Sequence, residues 1–200
     1  MNRRIYTLFE NISSRNQLIL GIFITIAGSL LGYGLHLRYF GAFKITTLSP
    51  KAPFYMPLLD NMLIILITLL CLFLAGLLIN RRTRALDILN AILISRGPLY
   101  LGCLFNINGF MMAQSALLLA QVSKGKDAAL SMPIWPMLLM SSGLTLLSVL
   151  SIWLLFAGFK TATNGKGAKV IWLFVLGLIA TLLVVNLSLA SLYTAFDFLF

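Results

Sequence analysis

The segment Asn61–Ile79, NMLIILITLLCLFLAGLLI, constrains the fold more than any other part of the chain: it carries no charge from end to end. As a helix it would be about 28 Å long at 1.5 Å per residue, close to the ~30 Å of hydrocarbon in a bilayer. It stops at Asn80-Arg81-Arg82-Thr83-Arg84, the densest basic cluster in the sequence. Of the 200 residues, 60% are hydrophobic and 10% charged, against roughly 45–50% apolar content in soluble domains. These properties predict an integral membrane protein: an all-α, polytopic transmembrane helical bundle without a soluble domain.

Four further apolar stretches complete the expected layout. Membrane spans are expected at about 17–37, 61–79, 98–121, 137–159 and 170–193, forming one domain over 17–200 after a short cytoplasmic or interfacial segment at 1–16. In that first segment Ile5, Leu8, Phe9 and Ile12 fall on one helical face beside Arg3, Arg4 and Arg15, as in a helix lying at a lipid surface; a polar tail with stray apolar residues fits equally. No small-residue cleavage site follows at a suitable place, which argues against a removable signal peptide. In the first span Gly21, Thr25, Gly28 and Gly32 recur at intervals of four, three and four. Small residues so spaced let another helix approach closely, and are read as packing. The segment 38–60, with Pro50, Pro53 and Pro57, reads as a loop whose Tyr39, Phe54 and Tyr55 belong in an interfacial aromatic belt. Ser141, Thr145, Ser148 and Ser151 lie along one side of the fourth span.

Basic residues orient the bundle. Arg3, Arg4, Arg15, Arg81, Arg82, Arg84, Lys160, Lys166 and Lys169 fall on the side of the N-terminus, and Arg38, Lys44, Lys51, Lys124 and Lys126 on the other. The larger group belongs in the cytoplasm, which places the N-terminus inside and the C-terminus outside an inner membrane. The basic residues are scattered through short loops rather than forming a stripe, so nucleic acid is not an expected partner.

The region 85–121 is the hardest to thread. It is about 55 Å long as one helix, too long for one upright span and too short for two. Arg96-Gly97-Pro98 divides it, because proline removes a helical donor and restricts the residue before it. One reading lays Arg84–Ser95 on the surface as an interfacial helix before the third span, with Asp87, Asn90 and Ser95 as its polar groups. Arg96 then snorkels to headgroups and Pro98 opens the span. The other sinks the helix from Leu86, leaving Arg96 about 14 Å deep, where a charge needs an inward-facing partner. Asn106, Asn108, Gln114 and Asn186 are the candidate partners, all neutral, and no acid lies in the centre of another span. That favours the surface reading. Asn106 and Asn108, beside Gly109, are expected near the midplane, bonding between helices or lining a polar cavity.

No catalytic pattern is present in the sequence. His36 is the only histidine, so His-based triads and paired-histidine zinc sites are excluded. Glu10, Asp60, Asp87, Asp127 and Asp197 are dispersed, none paired for acid and base roles. Cys71 and Cys103 lie far apart in apolar segments and read as small hydrophobes. No metal, cofactor or enzymatic activity is expected.

The basic connector followed by ALDILNAILISRGPLYL and NINGF, with Asp87, Asn90, Arg96, Pro98 and Tyr100, resembles the bacterial branch of the Yip family, the Ypt-interacting membrane proteins. The resemblance implies five transmembrane helices with a cytoplasmic N-terminus. It implies no established reaction. Eukaryotic relatives bind Rab-type GTPases mainly through a longer cytosolic N-terminal region; with about sixteen residues there, this chain departs from that pattern and GTPase binding is not carried over. The expected function is that of a scaffold or membrane-organising factor acting by helix association, with the lipid bilayer and a membrane-protein partner or second copy as its contacts. The alternative is a small transporter or channel subunit using Asn106, Asn108 and Arg96.

Overall fold

The computed structural model describes residue 9 and residues 12–47, 53–124 and 135–197. The expected surface helix at 3–14 and most of the loop at 121–136 lie outside the described residues. Helix α1 spans Ser14–Gly34, and the hydroxyl of Ser13 accepts from the Asn16 amide at its start. A two-stranded antiparallel hairpin follows, β1 Leu37–Tyr39 and β2 Ile45–Thr47. Helix α2 covers Met56–Ile79, α3 Ala85–Ser95 and α4 Gly97–Leu101. A 3-10 segment, Gly102–Gly109, leads into α5, Phe110–Lys124; α6 is Trp135–Thr163 and α7 Ala168–Asp197.

Among the described residues, five helical units are long and apolar enough to cross a membrane: α1, α2, the compound unit Ala85–Leu117, α6 and α7 up to Leu189. The short connections at 80–84 and 164–167, with the contact between the starts of α1 and α3, gather the start of α1, the end of α2, the start of α3, the end of α6 and the start of α7 at one end. The Ser14 hydroxyl donates to the Asp87 carboxylate there at 2.9 Å, and the Asn80 amide donates to the Thr163 carbonyl at 3.2 Å. Helix α2 packs chiefly on α7, while α3 is enclosed by α1, α2 and α6.

Three expectations are corrected. The helix before Arg96 is not a surface element: Ile88, Asn90, Ala91, Ile92, Leu93 and Ser95 are all buried between neighbouring helices. The third unit is not one continuous helix over 98–121, because Ile107 is extended and Asn108 adopts a left-handed φ of 57° inside the 3-10 segment. Residues 38–60 are not all loop. Pro57 sits in the first turn of α2, where its missing amide is no loss and its fixed φ suits a helix start. Asp60 and Asn61 are thereby drawn inside the helix, buried to 1% and 0% exposure.

The small-residue ridge of α1 is used within the chain. A β-carbon at Gly21 would press on Leu93, one at Gly28 would overlap the Tyr100 ring, and one at Gly32 would meet Tyr39 and the Leu37 carbonyl. Bare backbone on α1 is what lets α3, α4 and the hairpin approach. Two apolar clusters flank this seam. One gathers Leu37, Ile64, Leu99 and Val185; the other gathers Leu72, Ile88, Leu155, Phe159 and Phe174.

Candidate functional site

At the junction of α3 and α4, Arg96 keeps an αR backbone (φ −77°, ψ −14°) and is the single residue between the two helices. Its side chain is directed into the bundle and is 5% exposed. The guanidinium Nη2 donates to Asn61 Oδ1 at 2.7 Å, Nε to the Tyr100 hydroxyl at 3.1 Å, and Nη1 to the Ala42 carbonyl at 3.4 Å. The Tyr39 and Tyr100 rings lie 5.9 and 5.6 Å from Cζ, within range of a cation–π interaction. Arg96 is therefore not a headgroup anchor. The expectation rested on the lack of an acidic partner, but a cation is also solvated by carbonyl oxygens, a phenol and ring faces.

Asn61 is the hub of this cluster. Its Oδ1 accepts from Arg96 and, at 3.3 Å, from the Tyr100 hydroxyl, while its Nδ2 donates to Ser29 Oγ at 2.8 Å. The Ser29 hydroxyl donates to the Thr25 carbonyl, and the Thr25 hydroxyl donates to the Gly21 carbonyl. Below Arg96, the Tyr39 hydroxyl donates to the Gly28 carbonyl at 2.6 Å and lies 3.2 Å from Cys103 Sγ. Burial first, and the adjacent Cys103 next, hold the Tyr39 phenol above its usual pKa, so it stays a neutral donor. Tyr39 is fully buried, not a belt residue, whereas Phe54 and Tyr55 are exposed.

The cluster carries a positive charge with no carboxylate on it. Asp60, one residue before Asn61, turns instead to Arg38 of β1, with Nε–Oδ2 at 3.2 Å and Nη2–Oδ1 at 3.3 Å. Among the described residues no carboxylate lies within ion-pair distance of Arg96. The chemistry available is electrostatic: a fixed cation amid neutral acceptors, joining α1, the hairpin, α2 and α4.

The remaining expected residues fall elsewhere. Asp87 and Asn90 hold the start of α1, Asp87 through Ser14 Oγ and Asn90 by donating Nδ2 to the Ser14 carbonyl at 3.0 Å. Asn90 Oδ1 and Ser151 Oγ are buried without a hydrogen-bond partner. Pro98 initiates α4, and Tyr100 on that helix reaches Asn61. Asn106 donates Nδ2 to the Leu35 carbonyl at 2.6 Å and accepts from the Met112 amide at 3.2 Å, tying the helix break to the end of α1. Asn108 is exposed and serves the turn. Neither asparagine hydrogen-bonds the Arg96 cluster. Asn61, Ser29, Tyr39 and the Ala42 carbonyl went unrecognised; Pro57 at the start of α2 was the available signal for Asn61. No group of three or more metal-ligating side chains occurs among the described residues.

Comparison with protein-family models, with curated proteins and with solved structures gives no match to this chain.

Proposed function

We propose that the chain is a five-span inner-membrane protein that acts without catalysis, as a scaffold or membrane-organising factor working by helix association. The observation that carries this reading is the Arg96 cluster: one buried side chain, bonded to neutral groups among the described residues, holds α2, α4 and the hairpin in a single register. Buried polar groups that fix one arrangement are a means of specificity more than of stability. A body locked in this way suits a platform. The excess of Arg81, Arg82, Arg84, Lys160, Lys166 and Lys169 at one end of the helices supports a cytoplasmic N-terminus, and the five-span layout accords with the resemblance to the Yip family. Because the α1 ridge is spent internally, contact with neighbours falls to the outer faces. The least covered is on α6, where Leu138, Leu139, Leu146 and Val149 are exposed.

A transporter or channel subunit is the second reading, favoured by the broken third unit and an uncompensated interior charge. Proteoliposomes holding the purified chain separate the two. A scaffold shows no solute or ion flux above empty vesicles, and a single cysteine at Leu146 crosslinks copies in the membrane. Flux that disappears in Arg96→Lys while helicity is intact would replace the scaffold reading.

A further inference from the structure

A cleft of about 360 Å³ opens where α2 ends and the α6–α7 connection turns, away from the Arg96 cluster. Its base is apolar, with Ile79 and Val170, and Asn80 and Thr163 form its polar floor. Asn80 is held by donating to the Thr163 carbonyl and accepting from the Arg82 amide at 3.0 Å, so the floor is fixed. Gly165 closes one wall so tightly that a β-carbon there would strike Val170 and Ile79. Lys166 and Lys169, both exposed, line the cleft with these groups, and among the described residues no acidic side chain does. Exposed Arg81 and Arg82 follow Asn80 directly. The nearest acid in the sequence on that end, Asp87, is occupied by Ser14.

We infer that this cleft binds a phosphate-bearing group, held by Lys166 and Lys169 over the Asn80–Thr163 floor. Basic recesses between helices at the cytoplasmic boundary suit anionic headgroups. Ile79 and Val170 are flanked in sequence by exposed Leu78, Ile171 and Trp172, apolar surface open to an acyl chain, which makes an anionic phospholipid the favoured source. That source rests on the membrane reading proposed above; the phosphate chemistry does not.

The test uses the full chain in detergent micelles. Native mass spectrometry follows retention of phosphatidylglycerol against phosphatidylcholine, and thermal unfolding is followed with and without inorganic phosphate. The variants are K166Q/K169Q and, as a control of equal charge loss at exposed positions outside the cleft, R15Q/K44Q. Preferential phosphatidylglycerol binding that falls about thirtyfold in K166Q/K169Q, the effect of two surface lysines, and less than about threefold in the control establishes the lipid source. Stabilisation by inorganic phosphate alone, lost in the same variant, establishes the site with a free phosphate. Equal losses in both variants, or no response to either probe, overturns the inference. Release of the chain from membranes by alkaline carbonate would refute the membrane reading separately.

Discussion

The Arg96 cluster makes an unusual ordering of stabilities a direct test of the structure: Asn61→Leu should harm the protein more than Arg96→Met. Asn61→Leu removes the 2.7 Å bond to the guanidinium, the 2.8 Å bond to Ser29 and a long, weak 3.3 Å bond from the Tyr100 hydroxyl. A hydrogen bond to a charged group is worth about 1.5–3 kcal/mol and a neutral one about 1 kcal/mol, so the loss is about 3 kcal/mol. What remains is a buried cation on a phenol and a long bond to Ala42. Arg96→Met deletes the charge together with its desolvation penalty and leaves Asn61 bonded to Tyr100 and Ser29. Replacing buried ionic groups by apolar ones of similar volume is often neutral or stabilising, and the change should be within about 1 kcal/mol of zero. In the Arg96→Met background, Asn61→Leu should then lose the Ser29 bond and the long Tyr100 bond, about 1 kcal/mol together, giving a coupling energy of about 2 kcal/mol. Equilibrium unfolding of the four proteins in mixed micelles, followed by circular dichroism, measures the cycle. Ordinary polar contacts between membrane helices average about 0.6 kcal/mol. A coupling at or below that value, or an Arg96→Met loss exceeding that of Asn61→Leu, would refute the assignment of Asn61 as the principal acceptor.

Other expectations can be checked on the same preparation. Gly28→Leu drives a side chain into the Tyr100 ring and should cost about 3 kcal/mol, while Gly34→Leu, with nothing within 4 Å of its β-position, should stay within about 0.5 kcal/mol; equal effects would count against the α1–α4 seam. Asn108→Gly should be nearly neutral and Asn108→Val should lose about 1–2 kcal/mol, since a branched side chain resists φ 57°. Finally, with Cys71 and Cys103 replaced, single cysteines at Arg81 and Lys166 should be labelled from the cytoplasmic side, and one at Lys44 only from the other side. Labelling of all three from one side would reverse the proposed crossing pattern.

The long helices were legible because their signal is summed over some twenty residues. Met56–Ile79, Trp135–Thr163 and Ala168–Asp197 begin and end within a turn or so of the apolar stretches that announce them, and the Gly21–Gly28–Gly32 ridge meets close neighbours as its spacing implies. The depth of Arg96 was not legible, for a definite reason. Its partners are neutral, and two of the three, Asn61 and the Ala42 carbonyl, come from remote parts of the chain, with only Tyr100 close by in sequence. A backbone oxygen in a connecting segment leaves no mark in the sequence. The hairpin was hidden because its strands have three residues each, too few for an alternation to register. The helix break carried a cue in Asn106-Ile107-Asn108-Gly109; asparagine and glycine both tolerate φ above zero, and φ is 57° at Asn108 and 72° at Gly109. Apolar residues on both sides outweighed it.

That break also grades the cohesion of the molecule along its length. Past Gly109, α5 rests mainly on the 3-10 segment. The buried residues of α6, Ser151 to Thr163, all lie in its second half. Among the described residues, one end of the bundle is thus interlocked and the other is held by fewer neighbours. Amide protons should record this as a gradient, slowest around Ile88 and Phe159 and fastest along Trp135–Leu150. Under gentle denaturation the far ends of α5 and α6 would part first while the basic end keeps its form. In physical terms the protein is a cantilever: fixed at the lysine cleft, and free to yield at the opposite tip.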